Sequence, residues 1–227
     1  MEDVLDVYER PEDPDYPLVC MDESPRQLIG EVHEPLPMEP GRPERYDVLY
    51  KREGTCNLFL FSAPLLGWRR KNPILLDVFS EFLLKQKRPV DVTERRTSLD
   101  WAEQIKRLVD VDFPDAKKIV LVMDNLNTHT PASLYKAFPP GEAKRIWDRL
   151  EIHYTPYHGS WLNMAEIEFS VLSRQCLWGR ISDMSSMRRV VSSWMKCRNA
   201  ESCKIDWRFT TKDARIKLKR LYPKIQK

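Results

Sequence analysis

Three acidic residues in separate parts of the chain have the types and settings that metal-dependent chemistry needs. Asp22 and Asp124 each follow a short apolar run bounded by polar residues, a pattern that indicates a buried strand. Open α/β sheets carry their sites at the carboxyl ends of such strands. Glu166 lies three residues after Asn163, in the predicted first turn of a helix. Carboxylates held on separate rigid elements are ligands that hard divalent cations prefer.

Each acid also has a simpler interpretation. A lone acid at a strand end, such as Asp124, is often a turn residue or a helix cap. Asn163 and Glu166 have the spacing of a capping box, which would occupy the Glu166 carboxylate. Asp22 is followed directly by Glu23, and strand alternation sends the two to opposite faces of a sheet. Only one of that pair therefore belongs to a site with the other acids.

The chemistry that uses three such acids is cleavage or transfer of a phosphodiester. Two metal ions about 4 Å apart hold the attacking and leaving oxygens, and the carboxylates hold the metals. Other common sites lack their patterns here, since the chain contains no phosphate-binding glycine loop, no GxSxG elbow and no HExxH pair. The sequence thus favours a metal-dependent nuclease or strand transferase.

The composition is that of a globular protein of ordinary hydrophobicity. Of its 227 residues 42% are hydrophobic and 31% charged, and five scattered cysteines predict free thiols. The acidic start lacks a signal-peptide pattern, and no apolar run reaches the roughly 20 residues of a membrane span. Residues 1–50 hold 14 acidic and 4 basic side chains, whereas residues 204–227 hold 9 basic and 2 acidic ones. A basic end suits phosphate backbones, or forms a solvated helix face.

The order of predicted elements indicates an α/β fold: a mixed sheet with helices on both faces, followed by a basic helical C-terminal extension. Glu53, Gly54 and Thr55 predict a hairpin turn, and Ser98 a helix cap. The predicted strands cover residues 18–21, 45–50, 56–62, 90–93, 119–123 and 150–155, with a further strand beginning near 66. The predicted helices cover 98–109, 131–138, 141–150, 163–177, 184–198 and 211–221. The predicted organisation is an exposed lead-in (1–17), a catalytic domain (18–200) with a probable insertion (71–89), and an extension (201–227).

Two stretches, Val122 to His129 and Tyr154 to Glu166, closely resemble bacterial insertion-sequence transposases of the mariner-like superfamily. Cys20 to Ser24 resembles the first catalytic block of that family. The resemblance implies an RNase H-like catalytic domain with a DDE triad, which here would be Asp22, Asp124 and Glu166. In that fold the first and fourth strands are neighbours, so the two aspartates would lie side by side.

The same resemblance implies a reaction and partners. We expect Mg²⁺ or Mn²⁺, as two ions held by the triad, to support cleavage of double-stranded DNA at transposon ends and strand transfer into target DNA. The family's helix-turn-helix region does not precede Asp22, so a separate polypeptide from a split gene is expected to supply it. A homodimer on DNA, no membrane contact and a cytoplasmic, nucleoid-associated location complete the expectation. Candidate DNA-contacting residues are Asn125, His129, His158, Trp161, Arg215, Lys217, Lys219 and Arg220.

Two alternatives stay open. The segment 71–89 looks inserted within a strand of the family pattern, so an inactive DNA-binding remnant of a transposase is one of them. The same metal chemistry directed at RNA–DNA hybrids is the other. The 41 residues between Asp124 and Glu166 exceed the spacing usual for the superfamily, and the extra length lies in the predicted helices 131–150.

Overall fold

A computed structural model describes residues 1–65, 90–201 and 203–222 of the chain. The predicted insertion 71–89 and the strand predicted near residue 66 lie outside these residues. None of the helices in the described ranges combines the length and apolarity needed to cross a bilayer.

The centre of the fold is a five-stranded mixed sheet with the strand order β3-β2-β1-β4-β5. Strands β1 and β2 form a long antiparallel pair, and β3 pairs antiparallel with the far edge of β2. Strand β4 is parallel to both β1 and β5. The predicted mixed sheet is therefore confirmed, including the adjacency of the first strand and the strand that precedes Asp124. The strands are β1 (Leu18–Glu31), β2 (Tyr50–Ser62), β3 (Val90–Thr93), β4 (Ile119–Met123) and β5 (Leu150–Tyr154).

The first hairpin differs from its prediction. The strand expected to stop at Met21 continues through Asp22 to Glu31, because β2 pairs with it along nearly its whole length. Gly54, expected in a turn, lies inside β2 at φ 134° beside a register shift, so it forms a bulge instead. The segment 45–50 is accordingly not a partner of 56–62.

Helices cover both faces of the sheet, as predicted. The N-cap residue of helix α2 is Thr97 and not the predicted Ser98, because the Thr97 side chain and Asp100 form a reciprocal capping box. A short π-helical turn, Leu108–Asp112, continues this helix. The helices are α1 (Glu2–Tyr8), α2 (Ser98–Arg107), α3 (Pro131–Ala137), α4 (Pro140–Asp148), α5 (Ala165–Cys176), α6 (Met184–Glu201) and α7 (Thr211–Lys217).

Strand alternation divides the core into two layers. Leu18 and Cys20 of β1 pack with side chains of α1, α5 and α6 on one face. Val19 and Met21 pack with side chains of α2, α3 and α4 on the other. The next two residues of β1 continue this alternation, and their side chains consequently begin on opposite faces.

The first residues are part of the domain rather than an exposed lead-in. Helix α1 buries Val4, Leu5, Val7 and Tyr8 in the layer that contains α5 and α6. Sequence reasoning allowed at most one helical turn here, because the four acids and the following prolines suggested a solvated segment. The acids instead face outward and meet the basic extension, where Glu2 forms a bidentate ion pair with Arg215 of α7.

Candidate active site

Asp22 and Asp124 lie on adjacent parallel strands. The parallel β1–β4 register pairs Cys20 with Val122. Asp22 and Asp124 each follow two residues later, so they occupy equivalent positions next to each other. Strand β4 ends at Met123, so Asp124 is at its carboxyl end, as predicted. Asp22 is inside the longer β1, where pairing with Leu60 of β2 fixes its backbone.

A buried asparagine holds the start of α5 against β1. The Asn163 side chain donates a hydrogen bond from Nδ2 to the main-chain oxygen of Met21 at 2.8 Å. Its Oδ1 accepts from the main-chain N–H of Ala165 at 3.1 Å. Tyr8 adds a second tie, since its hydroxyl donates to the Leu162 carbonyl at 2.7 Å. These contacts connect the first turn of α5, which carries Glu166, to the residue before Asp22.

Glu166 is exposed and does not act as a capping residue. The helix begins at Ala165, whose N–H donates to Asn163 Oδ1, and Met164 at the N-cap position supplies no side-chain hydrogen bond. Asn163 therefore supports the helix entry without the reciprocal contact from Glu166 that a capping box requires. No capping contact therefore occupies the Glu166 carboxylate.

Burial and neighbouring negative charges act on the Asp22 carboxyl. Burial is the main cause that raises the pKa of Asp22 to about 7; a hydrogen bond from the Glu23 N–H opposes the change, and the negative charges of Glu166, Asp124 and Glu23 add to it. Negative charges close to a carboxyl group disfavour its ionised form. Asp22 is thus the member of the Asp22–Glu23 pair that lies with Glu166.

Glu23 points to the opposite face and binds His129. The two side chains are 3% and 0% exposed, and Glu23 Oε1 lies 3.0 Å from His129 Nε2. The other ring nitrogen, Nδ1, lies 2.7 Å from Asp124 Oδ1 and 3.1 Å from the Asp124 carbonyl. Burial opposes a charge on this imidazole, but the contacts with Asp124 and Glu23 outweigh it and raise the pKa of His129 to about 9.

The donor chemistry of the site fits a divalent cation. Asp124 Oδ1 is buried and accepts no hydrogen bond of normal geometry, although His129 Nδ1 is close to it. Asp22 holds its proton unusually tightly for an aspartate, which a nearby cation would reverse. Among the described residues no group of three or more His, Cys, Asp or Glu side chains is arranged so that it could hold a metal ion. Mg²⁺ needs only a few carboxylates because it keeps several waters.

The candidate DNA-contacting residues occupy different settings. His129 needs correction, because its imidazole is fully buried and both ring nitrogens contact protein oxygens, which removes it from any DNA surface. Asn125, His158 and Trp161 are exposed near the acids in the chain. The loop that carries His158 is tight: the His158 φ is +60°, and a Cβ at Gly159 would lie 2.5 Å from the Pro156 ring.

The basic extension is partly occupied by its own protein. Arg215 pairs with Glu2, and Lys217 lies 3.6 Å from Asp213 while its ammonium is 5.6 Å from the Phe209 ring. Phe209 in turn meets Trp161 edge to face at 5.8 Å. Lys219 and Arg220 are exposed. Sequence reasoning placed Asn163 at the helix start but did not predict its bond to Met21, and it missed Tyr8. Only alternation along β1 indicated a separate role for Glu23.

The fold is RNase H-like, as predicted. It combines a mixed sheet of this strand order with helices on both faces. Residues 80–188, just under half of the chain, match the family model described as DDE superfamily endonuclease. The matched range contains Asp124 and Glu166 and begins after Asp22. A comparison with curated protein sequences finds no match.

Solved structures of the Mos1 mariner transposase share the fold. The paired-end complex with Mn is 14% identical, with a TM-score of 0.52 over 88% of this chain and 54% of that one. The paired-end complex with the left transposon end is 12% identical, with a TM-score of 0.54 over 88% and 53%. The strand transfer complex is 12% identical, with a TM-score of 0.52 over 88% and 54%. The chain therefore spans about half the length of these transposase chains.

Proposed function

We propose that this chain is the catalytic domain of a DDE transposase that cleaves DNA at the ends of a mobile element and joins the freed 3′-OH to target DNA. The observation that carries the proposal is the placement of the acids: Asp22 and Asp124 are on neighbouring parallel strands, and Asn163 ties the first turn of α5, which carries Glu166, to the residue before Asp22. The match to the DDE superfamily endonucleases and the Mos1-like fold support the same reaction class.

In this proposal the triad holds two Mg²⁺ or Mn²⁺ ions. When bound, the ions would activate the attacking oxygen and stabilise the leaving oxygen of the phosphodiester. Asp22 and Asp124 supply carboxylates from the rigid sheet, and Glu166 supplies one from the more exposed first turn of α5. Asn163 keeps that turn at a fixed distance from β1, because its side chain bonds both segments.

The substrate in this proposal is double-stranded DNA. Asn125, His158 and Trp161 lie on exposed segments next to the acids in the chain, and Lys217, Lys219 and Arg220 add positive charge. Charge of this kind attracts phosphates without reading sequence. Two chains would act together on DNA, with a helix-turn-helix polypeptide from a split gene recognising the element ends.

Nicking of supercoiled plasmid DNA in the presence of Mn²⁺ tests the proposal. We expect Asp22→Asn, Asp124→Asn and Glu166→Gln each to reduce nicking by at least about 100-fold while the proteins stay folded. The control Asp183→Asn changes an acid that binds Ser185 and Ser186 at the start of α6, so its nicking should equal that of the wild type.

The open alternatives give other outcomes in the same assay. An inactive remnant would bind DNA in a salt-sensitive way without nicking it, with or without Mn²⁺. The feature that suggested a remnant, the segment 71–89, lies outside the described residues. A ribonuclease would instead cleave the RNA strand of an RNA–DNA hybrid and leave the plasmid intact. Either result would contradict the proposed function.

A further inference from the structure

Behind the sheet face that carries Asp22 lies a buried acid–imidazole pair, Glu23 and His129. Glu23 follows Asp22 in β1 and points toward α2 and α3, where its carboxylate meets His129 Nε2 at 3.0 Å. His129 reaches Asp124 with its other nitrogen, at 2.7 Å from Oδ1. A continuous line of contacts thus runs from β1, through the imidazole, to the carboxylate at the end of β4.

The imidazole cannot easily take another position. It stacks on Trp101 of α2, with ring centroids 5.6 Å apart and planes inclined by 26°. Its backbone is held as well, because Tyr154 donates to the His129 carbonyl at 2.7 Å and the His129 N–H donates to Leu126. Every polar atom of the residue therefore has a protein partner.

Burying a carboxylate and an imidazole together costs desolvation free energy. Glu23 and His129 are polar groups in an apolar layer formed by Met21, Met123 and Leu134, where a hydrophobic pair of similar volume would fill the space without desolvation. Carboxylate–imidazole pairs behind a metal ligand commonly fix the ligand's orientation.

We propose that Glu23 and His129 are positioning residues that hold the Asp124 carboxylate in the orientation required to bind a divalent cation. The inference rests on the proposed function, because it concerns the same site. Neither residue touches the substrate or the ion. Glu23 fixes the imidazole, whose Nδ1 forms a hydrogen bond with the Asp124 main-chain oxygen at 3.1 Å and lies 2.7 Å from the Asp124 carboxylate as an ion-pair contact.

The chain contains a matched control for this pair. His153 on β5 likewise bridges two carboxylates, with Nδ1 at 2.8 Å from Asp3 and Nε2 at 3.1 Å from Glu151. Its imidazole is also nearly buried, but its partners lie on α1 and β5 rather than among the three acids. Glu151→Gln therefore removes the same type of contact as Glu23→Gln at a different place.

The experiment is titration of the full-length chain with Mn²⁺, followed by the electron paramagnetic resonance signal of free Mn²⁺. We expect Glu23→Gln and His129→Gln to weaken Mn²⁺ binding by about 10- to 100-fold, and Glu151→Gln to leave it unchanged. In plasmid nicking, the Mn²⁺ concentration for half-maximal rate should rise for Glu23→Gln, whereas the rate at saturating Mn²⁺ should return close to the wild-type value. A purely structural role would not separate these two quantities.

Wild-type Mn²⁺ affinity in a folded Glu23→Gln protein would overturn this inference and leave the proposed function intact. Absence of Mn²⁺ binding by the wild type would overturn both. If Glu23→Gln does not fold, Glu23→Asp provides the same comparison, because it keeps the charge but shortens the reach to His129. Mn²⁺ binding by that variant at wild-type affinity would equally contradict the positioning role.

Discussion

Replacing Asp22 with asparagine should make the protein more stable while it abolishes nicking. Burial raises the pKa of Asp22 from 3.8 to about 7, assisted by Glu166 and Asp124. The folded protein therefore carries a carboxylate in a place that disfavours its charge. Asparagine has nearly the same shape and can still accept the hydrogen bond that Asp22 Oδ1 receives from the Glu23 N–H at 2.8 Å.

The sign and size of the effect follow from the two pKa values. Below pH 3.8 the group is protonated in both the folded and the unfolded chain, and it contributes no difference. As the pH rises toward 7 the unfolded chain ionises and the folded chain does not, so folding becomes progressively less favourable. Above pH 7 the destabilisation is complete. Since each tenfold change in proton affinity is worth about 1.4 kcal/mol, the destabilisation reaches about 4 kcal/mol.

Urea unfolding of wild type and Asp22→Asn between pH 5 and pH 8, in the presence of EDTA, measures this difference. The advantage of Asp22→Asn should grow with pH. Asp183→Asn provides a control of opposite sign, because hydrogen bonds from Ser185 and Ser186 hold the pKa of Asp183 well below its usual range. Its stability difference from the wild type should be constant over this pH interval. Adding Mn²⁺ at pH 8 should stabilise the wild type and have little effect on Asp22→Asn.

An equal stability difference between Asp22→Asn and wild type at pH 5 and pH 8 would refute the reasoning. It would mean that Asp22 ionises as it does in the unfolded chain, and hence that neither burial nor the charges of Glu166 and Asp124 act on it. The convergence of the triad, on which the proposed function depends, would then be wrong.

Three further predictions concern the parts that position the site. Leu5→Ala should destabilise the domain by about 2–5 kcal/mol in urea unfolding, because Leu5 is fully buried in the layer under α5; a change below about 0.5 kcal/mol would show that α1 is dispensable. Asn163→Ala should cost about 1–3 kcal/mol and also reduce plasmid nicking, since it leaves the Met21 carbonyl without its partner; unchanged nicking would argue against a positioning role. The double variant Lys219→Ala/Arg220→Ala should lower the salt dependence of DNA binding, measured by fluorescence anisotropy, by about two phosphate contacts. Arg215→Ala should lower it less, because Glu2 already binds that guanidinium.

The sequence by itself predicted the order of the elements from β3 onward and the three candidate acids. Apolar runs fixed β4 and β5 almost to the residue, and apolar periodicity predicted the buried face of α2, including Trp101 and Ile105. These features depend on local hydrophobic periodicity, which can be recognised in the sequence without knowledge of long-range contacts. The resemblance to mariner-like transposases added the pairing of the first and fourth strands.

Only the tertiary structure decided how far β1 extends, what α1 does and which acid of the Asp22–Glu23 pair belongs to the triad. Local pattern ended β1 at Met21, whereas pairing with β2 carries it to Glu31. Glu23 and His129 are 106 residues apart in the chain, and no spacing rule joins them. Contacts between distant segments depend on which strands become neighbours, and burial then determines which polar groups must find partners. Burial and the neighbouring charges that make Asp22 hold its proton therefore act on it only in the folded chain.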